Sequence, residues 1–557
     1  MKKTLKQILA GTLALSMMAT LSSCSSGDGS TDSGSGGSGS TTGGTGGSSD
    51  GTVEVVPLID TDQEGDLSIM VWSGDSIYYE DIGSLDWAPE DISTMNVAAV
   101  YAMAKKFNET YPNIKINLWA KTGEPNGEEV TWDQELENFK AQYGKYPDIY
   151  ASTDLVSDTT RGLVADLSVY ADDAMYQSFN KSIMNMMNYD GMQAGLPQYL
   201  LPWGVYVNKE LADQNNIDIP DINWDIDEYT DFVESADNKT FYGNMDAPLS
   251  FINTGTKDIN YALANGNDVD ITTAAVSSML EYVPTWSKTA VWAQYDAGNI
   301  TDEYMEELWW WGYNFFAKNT LLAYDGDPWM MGSATMAKDA PNSIQSNDWD
   351  IYPRPSTEYM DNTVGIVIDP MAIHNYAMDD LNPEWSDAEK LQLDIAYTFA
   401  SYWCGSTEAL QARADQMFSD NGTLMSSMND SFPLVTGAAF EEQMNIWYST
   451  ENHAPYGDAE AMPGFAEVLN IWEAGQFWDV SDKTNVYSIT QDGSIVQCMS
   501  EWNNCTNPAV VEFKKTDAGW LDSTKSNLSD WNVSINNKFD QAEVSLKKSL
   551  ADYYGIS

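Results

Sequence analysis

Hydrophobic and polar positions alternate and then lengthen their period along the first third of the chain. Leu67, Ile69 and Val71 alternate with Ser68 and Met70, which predicts a strand. Val100, Ala104, Phe107 and Tyr111 then recur at helical spacing, and the helix should stop before Pro112, whose ring disfavours helical backbone in the residue ahead of it. Ile114, Ile116 and Leu118 alternate again, and Asp148-Ile149-Tyr150 reads as the end of a third strand. Strand, helix, strand and helix in this order imply an α/β fold with a parallel sheet, whose ligands sit beyond the carboxyl ends of the strands. That places Trp72 to Asp75 and Ala151 to Asp154 near any site. Further on, Asp225 with Glu228 three residues later has the form of a capping box, with Trp224 as a staple. Leu391, Ile395, Phe399 and Tyr402 predict a helix ending near Cys404, itself a small core residue. Trp309-Trp310-Trp311, read as helical, would point about 100° apart and could not form one platform.

Composition narrows the partners. The 557 residues carry 27 Lys and Arg against 84 Asp and Glu, a formal charge of -57. Such a surface repels phosphate, which excludes nucleic acid and anionic membrane surfaces as partners. Apolar content of 43%, with 21 Trp and 30 Tyr, supplies a core despite that charge. Two histidines, His374 and His453, and four cysteines leave little for His-based metal or Ser-His-Asp chemistry. Asp221-x-Asn223-x-Asp225 begins like a calcium loop but has Ile226 and Phe232 where Gly and Glu are required. No metal, cofactor or catalytic residue is assigned.

The first residues read as an address. Lys2, Lys3 and Lys6 precede an apolar stretch, Ile8 to Leu21, too short to span a bilayer and the right size for a secretory signal. Leu21-Ser22-Ser23-Cys24 resembles the bacterial lipobox, in which the Cys becomes the lipid-bearing mature N-terminus. Residues 1–23 are therefore expected to be a signal peptide. Residues 24–52, wholly Gly, Ser, Thr and Asp beyond Cys24, are expected to be a flexible linker reaching about 30 Å. Gly47-Ser48-Ser49-Asp50-Gly51 matches a hydrolase elbow in letters only, with no strand before it or helix after it. Outside the cytoplasm, Cys498 and Cys505 stand as a candidate disulfide, the alternative being two reduced thiols.

Several short motifs then occur in one order. Val71-Trp72-Ser73-Gly74, Phe107-Asn108-Glu109-Thr110-Tyr111-Pro112-Asn113-Ile114-Lys115-Ile116 and Gly162-Leu163-Val164-Ala165-Asp166-Leu167 are followed by Gly195-Leu196-Pro197 and Tyr206-Val207-Asn208-Lys209-Glu210-Leu211. Trp224-Asp225-Ile226-Asp227-Glu228, Phe316 through Gly326-Asp327-Pro328-Trp329, and Trp349-Asp350-Ile351-Tyr352-Pro353-Arg354-Pro355 complete the set. This series, over roughly residues 66 to 411, resembles the extracellular solute-binding proteins of family 1, the lipoproteins that deliver sugars to bacterial ABC importers.

The resemblance implies a two-lobed periplasmic-binding-protein-like fold of type II, with a ligand cleft between the lobes. It places lobe one at 53–198 and 320–374 and lobe two at 199–319 and 375–557, the chain crossing near Pro197 to Trp203 and returning near Leu321 to Trp329. It implies a monomer anchored through Cys24 on the outer face of the cytoplasmic membrane, with an oligosaccharide and ABC permease subunits as partners. A sugar offers an apolar ring face and a rim of hydroxyls, so its site needs aromatic surface and carboxylates. Trp72, Trp203 and Trp329 are the candidate platforms; Asp75, Asp154, Asp325 and Asp327 are the candidate rim groups. Two other functions compete: a lipid-anchored glycoside hydrolase working through an acid pair, and a surface glycan binder that takes no part in transport.

Overall fold

The computed structural model describes residues 57–73, 77–121, 131–254, 256, 270–326, 348–378, 385–420, 423–428, 432–451, 453–479, 483–484 and 518–556. The signal, linker and Cys24 expectations, Cys498 and Cys505, and Asp75, Asp327 and Trp329 all lie outside these residues.

The predicted first strand is β1, Gly65–Trp72, whose central residues are buried on both faces, so Ser68 and Met70 are as enclosed as Leu67 and Ile69. A short strand β2, Ile77–Tyr79, precedes helix α1, Met95–Thr110, which Thr94 caps by accepting from the Val97 amide. The helix stops at Tyr111, ahead of Pro112 as expected. Strand β3, Ile114–Lys121, helix α2, Trp132–Tyr143, strand β4, Ile149–Ala151, and helix α3, Leu155–Thr160, follow. β1 pairs in parallel with β3 and β4, residue for residue from Gly65 opposite Ile114 to Trp72 opposite Lys121.

Strand β5, Leu196–Trp203, runs straight into β6, Val205–Asn208. A Cβ on Gly204 between them would fall against the Tyr352 carbonyl oxygen and 2.6 Å from Ile351 Cγ2, so only glycine permits this close crossing. Helix α4, Ile226–Glu234, starts at the predicted capping box, and Trp224 packs on Tyr229 at 5.4 Å as the staple. β7, Ala323–Tyr324, and β8, Trp349–Tyr352, flank β6 in a small antiparallel sheet ordered β8-β6-β7. β9, Val364–Ile373, returns to the large sheet, pairing with β5 and β4 in antiparallel sense. Helix α5, Asp387–Gly405, packs over that sheet, helix α6, Thr407–Asp415, packs on α1, and helix α7, Pro463–Glu473, leads to β10, Phe477–Asp479. The large sheet runs β10-β9-β4-β1-β3-β2, with β5 on β9. Helix α8, Trp520–Tyr554, ends the described chain.

The chain thus joins its two larger sheets at Trp203–Val205 and again between Tyr352 and Val364. This corrects the expected return near 321–329: Ala323 and Tyr324 are hydrogen-bonded into the small sheet, and Val364–Ile373 carries the return strand. The lobe boundaries move with it. Residues 387–405 pack on the large sheet and 407–415 on its helix α1, because the apolar stripe of α5, with Ile395 and Phe399 buried, lies against β1 and Phe107 of α1. Leu391, expected on that stripe, is 38% exposed. Cys404 is buried as a core residue, and burial pushes its thiol far up.

Among the described residues two apolar clusters result. The smaller holds Val205, Val207, Trp224, Tyr229 and Trp286 on one face of the small sheet. The larger fills the large sheet and its helices and reaches Tyr206, Tyr324 and Trp349 on the other face of the small sheet. Among the described residues, no helix is long and apolar enough to cross a membrane.

Candidate functional site

At the carboxyl end of β1, Trp72 is 53% exposed. Lys121, its register partner at the end of β3, is buried with Nζ 4.8 Å from the Trp72 ring centre and 5.0 Å from that of Trp132. The ammonium thus lies between two indoles, an arrangement in which each ring's electron-rich face attracts the charge. The backbone here is tied down as well. The Trp72 carbonyl accepts from Asn96 Nδ2 at 2.8 Å, the Ser73 amide donates to the Lys121 carbonyl at 2.6 Å, and Ser73 Oγ meets Thr94 Oγ1 at 2.9 Å. Because Thr94 caps α1, the positive end of that helix faces the same strand end.

Asp154 follows β4 but is buried, and it serves as the N-cap of α3, with Oδ1 accepting from the Ser157 amide at 2.9 Å. Asp158, on α3, accepts from Ser152 Oγ at 2.7 Å. Burial first and then Asp133 push its carboxyl up to about 8, although Arg161 Nη1 stands 3.7 Å away.

The second concentration of polar and aromatic groups lies where the chain changes sheet. Trp203 ends β5 and is buried; Arg354, two residues after β8, stacks over it with the guanidinium carbon 5.3 Å from the ring centre and 5.5 Å from that of Phe251. Arg354 Nη2 pairs with Asp325 Oδ1 at 3.1 Å, and Ser250 Oγ donates to Asp325 Oδ2 at 3.1 Å. Burial pushes the Asp325 carboxyl up, and the guanidinium, the Ser250 hydroxyl and the Trp203 indole pull it back. Arg354 is 1% exposed, yet its Nε and Nη1 find no hydrogen-bond partner among the described residues. A pair of this kind offers donors and acceptors together, the complement of adjacent hydroxyls.

Of the expected site residues, then, Trp203 and Asp325 come together around Arg354, Trp72 sits at its strand end against Lys121, and Asp154 is engaged as a helix cap. Sequence reasoning passed over Lys121 and Arg354. The signal for Lys121 was a cation at the last position of an alternating strand. That for Arg354 was a lone cation between two prolines in an acidic chain.

The three consecutive tryptophans do not form a helix. The helical stretch Asp302–Glu307 ends before them, and Trp309 and Trp310 take positive φ of 57° and 59°, left-handed backbone that is rare for bulky residues. Trp309 is 78% exposed, while Trp310 stacks on Trp292 at 5.9 Å.

No family model matches the chain, and no curated protein matches its sequence. Solved structures do match it in fold. An ABC substrate-binding protein from Listeria monocytogenes in complex with cycloalternan is 14% identical, with a TM-score of 0.50 over 88% of this chain and 100% of the other. A maltose-bound MalE3 of T. maritima is 11% identical, with a TM-score of 0.51 over 84% and 99%. A sugar transporter from Rhizobium etli in an open conformation is 16% identical, with a TM-score of 0.50 over 86% and 99%. These neighbours are solute-binding and transport proteins rather than enzymes. Two sheets joined by β5 and β9, together with this likeness over most of its length, give the chain the two-lobed α/β fold of ABC sugar-binding proteins.

Proposed function

We propose that the chain is an extracellular solute-binding protein, anchored through lipid on Cys24, that captures an oligosaccharide by hinge closure and hands it intact to an ABC permease. The observation that carries this reading is the fold likeness: neighbours with the same two-lobed architecture are described in complex with cycloalternan and with maltose. The strand-end and crossover groups supply suitable chemistry. Trp72 offers a half-exposed indole face for a sugar ring, and Arg354 with Asp325 offers paired donors and acceptors for hydroxyls. Trp203 backs the guanidinium rather than meeting the ring itself. Asp75, Asp327 and Trp329 belong to the proposed site through the resemblance alone, and the net charge of -57 favours a neutral ligand over an anionic one.

A thermal-shift screen of residues 53–557 against malto-, cello-, manno- and xylo-oligosaccharides tests the reading. A ligand that binds only the folded state raises the melting temperature. One glycan series should raise it and be recovered uncleaved. Cleavage of the bound glycan would move the chain to the hydrolases, and the absence of any shift would remove the carbohydrate assignment.

A further inference from the structure

Helix α8 is 35 residues long, about 52 Å at 1.5 Å per residue. Its two ends belong to different bodies. At the amino end, Trp520, Leu528 and Trp531 are buried in the cluster of the small sheet. There Asn532 Oδ1 accepts from the Ile271 amide at 2.9 Å and Lys525 pairs with Glu281 at 2.7 Å. At the carboxyl end, Ala542, Leu546 and Leu550 are buried in the cluster of the large sheet. There Ser549 Oγ donates to the Thr160 carbonyl at 2.7 Å and Tyr554 OH to the Val164 carbonyl at 2.9 Å. Gly162 is held against the Tyr553 ring, where a Cβ would come within 2.7 Å.

Between Trp531 and Ala542 the helix crosses about 16 Å in which no described side chain is buried. Asn532, Asn536 and Asn537 are poor helix formers, and Val533, Asn537, Asp540 and Gln541 are exposed. Tertiary packing supplies most helical stability in proteins, and here it comes at each end from a different body.

We propose that α8 is a strap between the two bodies, anchored at both ends. Rotation of one sheet relative to the other must bend or locally unwind the helix between its anchors, because neither anchored end can slide without unburying tryptophan or leucine. The strap therefore limits how far the bodies separate, whatever solute the chain binds.

The test needs no ligand. Spin labels on ketone-bearing residues introduced at exposed Lys115 in the large-sheet body and Asp231 in the small-sheet body avoid the native cysteines. Dipolar spectroscopy then reads the distance between the bodies. Asn537→Pro, which breaks the span, should broaden the distribution and extend it to longer distances, whereas Asn537→Ala should leave it as in the parent. Asn536→Gly with Asn537→Gly should reproduce the broadening if the proline variant folds poorly. A distance distribution unchanged in both helix-breaking variants overturns the proposal.

Discussion

Trp72 and Trp203 each end a strand of the large sheet, and their surroundings are opposite. Trp72 has a buried ammonium against its ring and is 53% exposed. Trp203 is 2% exposed, with the guanidinium of Arg354 against its ring and the chain turning immediately into the second sheet. Both use a cation, but one cation props an indole at the end of a strand and the other closes an indole into a joint. Residue type and strand-end position are therefore too coarse to identify a platform; what continues beyond the strand decides. After Trp203 it is β6 and a second core, so burial wins. The acids divide in the same way. Asp325 at the joint has Arg354 at 3.1 Å, whereas Asp158 near the end of β4 has a guanidinium nitrogen only at 3.7 Å and is pushed up further by Asp133.

The largest effect should follow from Trp203→Ala, which opens a cavity at the joint and removes the surface on which Arg354 stacks. A loss of about 3–5 kcal/mol in denaturant unfolding is expected; a loss below about 1 kcal/mol would show that the joint does not depend on this ring.

A smaller effect with a sign that depends on pH should follow from Asp158→Asn. The folded-state pKa of Asp158, about 8, lies above its ordinary value of 3.8. The folded protein therefore holds this proton more tightly than the unfolded chain, and stability falls as pH rises between those two values. The cost is complete above about pH 8 and absent below about pH 4. Asn mimics the protonated form, so the variant should be more stable than the parent at pH 8.5 by about 1 kcal/mol or more, with the difference shrinking toward pH 5. Melting curves at the two pH values check it, and a variant less stable at pH 8.5 would make the charged carboxylate a stabilising partner of Arg161. The smallest change in stability is expected from Trp72→Ala, within about 0.5 kcal/mol, as for an exposed position.

Much of the fold was legible because local patterns and tertiary packing agree. Leu67 to Val71, Ile114 to Leu118, the stop at Tyr111 and the capping box at Asp225 all form as the spacing requires. The triple tryptophan was misread because helical periodicity takes no account of where a helix stops. Met305 and Leu308 are buried, the Trp310 amide closes back on the Met305 carbonyl at 2.8 Å, and the chain leaves in left-handed backbone. The lobe boundary was misplaced because Ala323-Tyr324 and Val364–Ile373 are both largely apolar strands. Which of them crosses depends on pairing partners far away in sequence, Val207 in one case and Leu196 to Trp203 in the other. Arg354 and Lys121 escaped notice for a related reason: a cation beneath an indole is made by register and stacking, and neither leaves a local pattern.

The account stands most directly on the affinity of Trp72→Ala for the glycan that raises the parent's melting temperature, measured by titration calorimetry beside a melting curve of the same sample. A ring that stacks on sugar and carries no core packing should cost about 2 kcal/mol of binding on truncation, on the order of 30-fold in Kd, with melting unchanged. Unchanged affinity would contradict the account and remove the end of β1 from the ligand site.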